Sequence, residues 1–94
     1  MKTCILRVVS QGNVSYIPST KQEGGQLAKC EIRLKMLGGL KFSDEFVATL
    51  FGNLAKCQFL EGEVVAAVLR FSVHETNGSL YQDVVCNDIV KLSR

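Results

Sequence analysis

Lys29, Arg33 and Lys35 share one parity of the segment LAKCEIRLKML, with Glu31 between the first two. Strict alternation of this kind marks a half-buried strand: Ala28, Cys30, Ile32, Leu34 and Met36 fall on one face and the charged residues on the other. Three cations aimed the same way can meet an anionic partner. The plainer reading is a solvated strand face broken by Glu31. The formal charge of the chain, +2, permits an anionic partner without demanding one.

The other reactive residue types do not assemble into a catalytic or metal-binding pattern. Cys4, Cys30, Cys57 and Cys86 are widely spaced, and with a single histidine, His74, they offer no zinc ligand set. The opening MKTCILRVVSQ carries an Arg and a Gln too early for the apolar stretch of an export leader. Reduced thiols in a cytoplasmic protein, with no cofactor and no metal, are therefore the expectation. His74 has no Ser, Cys or Asp partner placed beside it by spacing, so it is expected as an exposed strand or loop residue. Asp44, Glu45 and Asp83 show no carboxylate-pair or metal spacing. Gly24-Gly25 is not followed by a phosphate-loop pattern. Enzymatic activity is not expected.

The elements that must position these residues are strands. Ninety-four residues suit one domain, 1–94, and 47% apolar with 21% charged residues is an ordinary globular composition. A first strand is expected from Lys2 to about Ser10. Tyr16 to Gln26 holds the only proline and two adjacent glycines, and is expected as a long mobile loop. The alternating LAKCEIRLKML is the second strand, Gly38-Gly39 a tight connection, and SDEFVATLFG the third strand. Phe46, Ala48 and Leu50 share one parity of that strand, and Glu45, Val47, Thr49 and Phe51 the other. In NLAKCQF, Asn53 can cap a short helix with Leu54, Cys57 and Phe59 at helical spacing. A long strand follows from near Glu63, Asn77-Gly78 is the strongest hairpin signal in the chain, and a last strand closes it. No run approaches the length of a membrane span. Five strands with one helix between the third and fourth fit an all-β fold, the five-stranded Greek-key OB-fold barrel, with Leu54, Cys57 and Phe59 plugging one end.

FVATLFGNLAKCQFLEGEVVAAVLRF resembles the third-strand, helix and fourth-strand segment of bacterial single-stranded-DNA-binding proteins. The likeness is carried by Phe51-Gly52, Leu54-Ala55, Glu61-Gly62 and Leu69-Arg70. HETNGSLYQDVVCNDIVKL is similar to the family's final hairpin through Glu75, Gly78, Tyr81, Val85 and Leu92. About two-thirds of the chain takes part. Two departures stand out: Glu45 occupies a place where the family often has an aromatic, and the chain stops at KLSR, without the family's acidic tail. A small relative, such as a primosomal-type replication protein, is the expected kind.

The resemblance implies a non-enzymatic module that holds single-stranded nucleic acid, DNA before RNA, by a cationic groove and stacking aromatics. It makes Phe51 the stacking candidate, with Arg70 and Tyr81 as further contacts beside Lys29, Arg33 and Lys35. Phe51 could equally be a core residue, and Tyr81 a core residue with a wet hydroxyl; Phe46 and Phe71 are expected in the core. The resemblance also implies a homodimer or homotetramer, and exposed edge strands would serve such pairing. The alternative is an OB domain that binds protein and no nucleic acid.

Overall fold

The computed structural model describes residues 2–18, 25–37 and 44–93. Their order is β1 (Lys2–Gln11), β2 (Ser15–Pro18), β3 (Gln26–Met36), β4 (Glu45–Phe51), α1 (Asn53–Lys56), β5 (Val64–Thr76) and β6 (Ser79–Ser93). The fold is all-β with one short helix among the described residues. Successive pairings of β1 with β5, β5 with β6, β6 with β4, β4 with β3 and β3 with β1 return to their starting strand. The ring is thinnest between β4 and β6, which run parallel and meet at one pair, Thr49 and Val85.

Six strands replace the expected five because the first is broken. β1 and β2 lie end to end along the same edge of β3, Gln11 opposite Ile32 and Ser15 opposite Lys29. Gly12, Asn13 and Val14 bulge between them, and the Gly12 N–H donates to the Glu31 carbonyl at 2.8 Å across the break. Tyr16 and Ile17, expected in a loop, are thus ladder residues of β2. Pro18, also in that expected loop, pairs with Gln26 of β3; residues 19–24 of the loop, and the Gly38-Gly39 connection, lie outside the described residues.

Alternation builds the core. Leu6 and Val8 of β1, Ala28 to Leu34 in steps of two on β3, Ala48 and Leu50 of β4, and Val65, Ala67 and Leu69 of β5 all point inward and are buried. Burying each Leu, Ile or Val contributes roughly 1.5–3 kcal/mol relative to exposure. Met36, last on the inward parity of β3, is exposed.

The plug differs from the expected one in two residues. Ala55 and Phe59 are buried, Leu54 packs against the core, and Cys57 is exposed. The cap is Gly52, at φ 65°, and no side chain caps the helix; Asn53 is its first helical residue. A positive φ is open to glycine without the Cβ clash, which lets the chain leave β4 and coil at once. Gly62, at φ 90°, occupies the third position of a four-residue turn that the Glu63 N–H closes onto the Leu60 carbonyl at 3.1 Å. A type II turn demands positive φ there. The Gly62 N–H then donates to Val8, and the Val8 N–H to Glu63, both at 2.8 Å, so the turn is stitched to β1.

Beyond Leu69 the β5–β6 hairpin leaves the ring. β1 ends its pairing at Lys2 opposite Leu69, and from Arg70 onward β5 pairs with β6 alone. The tip is Asn77-Gly78, both at positive φ, between the paired Thr76 and Ser79. That is the geometry that suits a two-residue turn to the strand twist. Phe71 stands on this arm and is exposed, contrary to the expectation of a core position, while Phe46 is half-buried; their rings tilt together at 6.5 Å.

Candidate nucleic-acid interface

The outward face of β3 and β4 is set by their antiparallel register. Lys29 lies opposite Phe51, Glu31 opposite Thr49, Arg33 opposite Val47 and Lys35 opposite Glu45. Paired residues share a face, so the inward burial of Ala28, Cys30, Leu50 and Ala48 turns this whole set outward. Phe51 is half-buried on this outward side, outside the core cluster, with Lys29 as its direct cross-strand neighbour. Its placement follows from the break at Gly52, whose N–H donates to the Ala28 carbonyl at 2.9 Å and pins the end of β4 to β3.

The face is cationic but partly neutralised. Arg33 Nε donates to Glu45 Oε1 at 2.6 Å, an ion pair with both side chains well exposed. Glu45 also faces Lys35 across the ladder, and Glu31 separates Lys29 from Arg33. The Glu45 carboxylate thus stands between Arg33, its ion-pair partner, and Lys35, its cross-strand neighbour, and leaves Lys29 at the far end of the ladder. Lys29 and Lys35 are half-buried, whereas Arg33 is exposed.

Arg70 joins the same face through β6. Val85 is the partner of both Thr49 on β4 and Arg70 on β5, so Glu31, Thr49, Val85 and Arg70 form one row across four strands. Arg70 is exposed. Tyr81 has the outward parity of β6 but lies on the arm, where it is exposed and pairs with His74. It is not a core residue. The six residues therefore divide into a group on the ring, a flank at Arg70 and an outpost at Tyr81.

Several contributors escape sequence reasoning. Val47, opposite Arg33 on this face, is an exposed apolar side chain. Gln11 positions the α1 end: its Nε2 donates to the Cys57 carbonyl at 2.7 Å, and its Oε1 accepts from the Phe59 N–H at 2.8 Å. The amide acts as one rung of a ladder, bracing the α1–β5 loop, and it borders a polar cleft of about 290 Å³. Nothing in the alternation of β1 announces that role. Glu63 is buried; its carboxylate accepts from the Leu60 N–H and meets Lys91 Nζ at 3.7 Å, while that ammonium sits 5.4 Å from the Phe59 ring centre.

Among the described residues no three His, Cys, Asp or Glu side chains gather as a metal-ligand group. No helix among them is long and apolar enough to cross a membrane. No family model matches the chain, and no curated protein matches it.

Proposed function

We propose that this chain is a non-enzymatic OB-fold domain that binds single-stranded nucleic acid, DNA in the first place, on the outward face of β3 and β4. The observation that carries the proposal is the single outward row of Lys29, Arg33 and Lys35 facing a strand that ends in outward Phe51. Charges along a strand follow phosphates, and a ring at the strand end offers a surface on which a base can stack. The strand order supports the OB assignment. With β1 and β2 counted as one broken strand, the ring has five members, the third and fifth run parallel, and α1 falls between the third and fourth. The sequence likeness to bacterial single-stranded-DNA-binding and primosomal replication proteins points the same way, toward replication or recombination in the cytoplasm.

The two kinds of contact fail differently. Phe51→Ala is expected to weaken oligo-dT binding by about 1–3 kcal/mol with little change in salt dependence. Lys35→Ala is expected to weaken binding and also to flatten the plot of log affinity against log salt, because one released counterion is lost. Binding unchanged in both variants would place the interface elsewhere.

A second reading, protein contact, has its own observation. On the side of the ring formed by β1, β5 and β6, Ile5, Ala66 and Val90 form one outward row. Ile5, Val90 and the nearby Leu92 are all about half exposed. This apolar face suits association of copies into a homodimer or homotetramer, and it leaves the β3–β4 face free.

A further inference from the structure

We propose that the free edge of β5 on the arm takes a third strand from a protein partner: an extended segment carrying a basic residue and then two apolar residues at alternate positions. The proposal stands apart from the single-strand reading, which concerns the β3–β4 face.

The edge is defined by where β1 stops. β1 pairs with β5 from Arg7 opposite Val64 to Lys2 opposite Leu69, and among the described residues no strand takes that side of β5 over residues 70–76. Backbone N–H and C=O groups at alternate residues therefore face outward along the arm. Groups at that spacing are matched by the backbone of another extended chain. A segment lying antiparallel to β5, in line with β1, continues the existing ladder.

One face of the arm is apolar and open. Phe71, Val73 and Glu75 continue the inward parity of Leu69 and lie opposite Val84, Gln82 and Leu80. Phe71 is 47% exposed, Val73 64% and Leu80 71%. A two-stranded ribbon is marginal alone, whereas three strands with an apolar face hold together. At the base of this face the mouth of the ring opens as a cleft of about 310 Å³, with Met36, Phe46, Phe71 and Val84 among its apolar walls.

Register and charge specify the occupant. Directly opposed residues share a face, so the inward side chains of the added strand stand opposite Glu75, Val73 and Phe71, in that order from its N-terminal end. A cation at the first position meets the exposed Glu75 carboxylate. An aliphatic side chain at the second covers Val73, and a large apolar one at the third, beside Phe71, overhangs the cleft. Asp44 and Glu45 add negative charge to the cleft rim, Glu45 in its pair with Arg33, and Lys2 closes the track opposite Leu69. An acidic residue at the first position is repelled by Glu75.

The test titrates the protein with the end-blocked peptide Lys-Thr-Val-Thr-Phe-Thr and follows the backbone amides by NMR. The expected result is saturable shifts and slowed amide exchange over residues 70–76. Two further peptides carry N-methyl groups, one on Val and Phe, the other on the three Thr. One of the two should fail to bind, because alternate amides of a strand point to one edge. Val73→Thr, which keeps the β-branched side chain, should weaken binding about tenfold, the order of one buried valine. Glu75→Lys should weaken it about threefold at low salt, with recovery when the peptide's Lys is replaced by Glu. Millimolar peptide that leaves the arm amides of the folded protein unmoved overturns the proposal, as does equal binding by both N-methylated peptides. Concentration-dependent broadening over residues 70–76 without peptide, abolished by Val73→Thr, assigns the edge to a second copy and overturns it too. None of these outcomes bears on oligonucleotide binding by the β3–β4 face.

Discussion

In the proposed interface, Glu45 competes with phosphate for Arg33. An exposed ion pair of this kind contributes about 0–1 kcal/mol to stability, so its removal should leave the fold intact. Glu45→Gln frees Arg33 for a phosphate contact. The expected outcome is tighter oligo-dT binding at low salt and a log affinity–log salt slope steeper by about one, measured by anisotropy over a salt series. The cysteines make a second residue-scale prediction. Burial pushes the Cys86 thiol up to about 11, the Asp88 backbone opposing in part and the Asp88 carboxylate adding to the rise. Its thiolate is scarce near neutral pH, and Cys30 is buried as well, whereas Cys57 is exposed. Timed alkylation of the native protein at pH 8 should modify Cys57 well before Cys30 or Cys86. The same shift bears on stability. The Cys86 contribution is fully present below the ordinary value of 9.0 and is lost as pH rises through about 11.

Strand alternation made most elements visible from sequence, because period two is imposed by geometry on any half-buried strand. The inward set of β3 and the outward set of Lys29, Arg33 and Lys35 were legible for that reason, as was the Asn77-Gly78 hairpin. What was not legible depends on where a strand stands in the ring. Phe71 has the same inward parity as Leu69, yet it is exposed because β5 has left the ring by that point. Gly12 marks a bend after the first strand, but no local pattern encodes the return of the chain to the edge of β3 at Ser15. Tyr16 and Ile17 find partners only through that edge. Cys57 sits at helical spacing from Leu54, but α1 ends at Lys56 and the chain extends at Cys57, turning that side chain outward. The Glu61-Gly62 pair, by contrast, is a turn dictated by backbone conformation. A Cβ at Gly62 meets nothing within 4 Å, so Gly62→Ala should cost only the conformational strain, about 1–2 kcal/mol. A urea melt checks this; a variant as stable as the parent would remove the turn from the account.

At the scale of the molecule, the ring presents two unlike outer surfaces. One is the charged β3–β4 face with Phe51 at its end; the other is the apolar row of Ile5, Ala66 and Val90. Under the proposed function, a division of this kind would let copies assemble without covering the proposed nucleic-acid face. Ile5→Lys combined with Val90→Lys is expected to shift an assembled protein toward monomer in size-exclusion chromatography with light scattering. Because the substituted positions point away from the core, the variant should keep its thermal transition. A parent that runs as a monomer at all concentrations would assign the apolar face to a different protein partner.

The central claim is that the β3–β4 face binds single strands through phosphate neutralisation and base stacking. Equilibrium titration of the parent chain with labelled oligo-dT across a series of salt concentrations tests it most directly. The account predicts saturable binding that weakens linearly in log salt, with a slope reflecting a few released counterions at about 0.7 per phosphate contact on a single strand. No binding by the folded, assembled protein at low salt would contradict it.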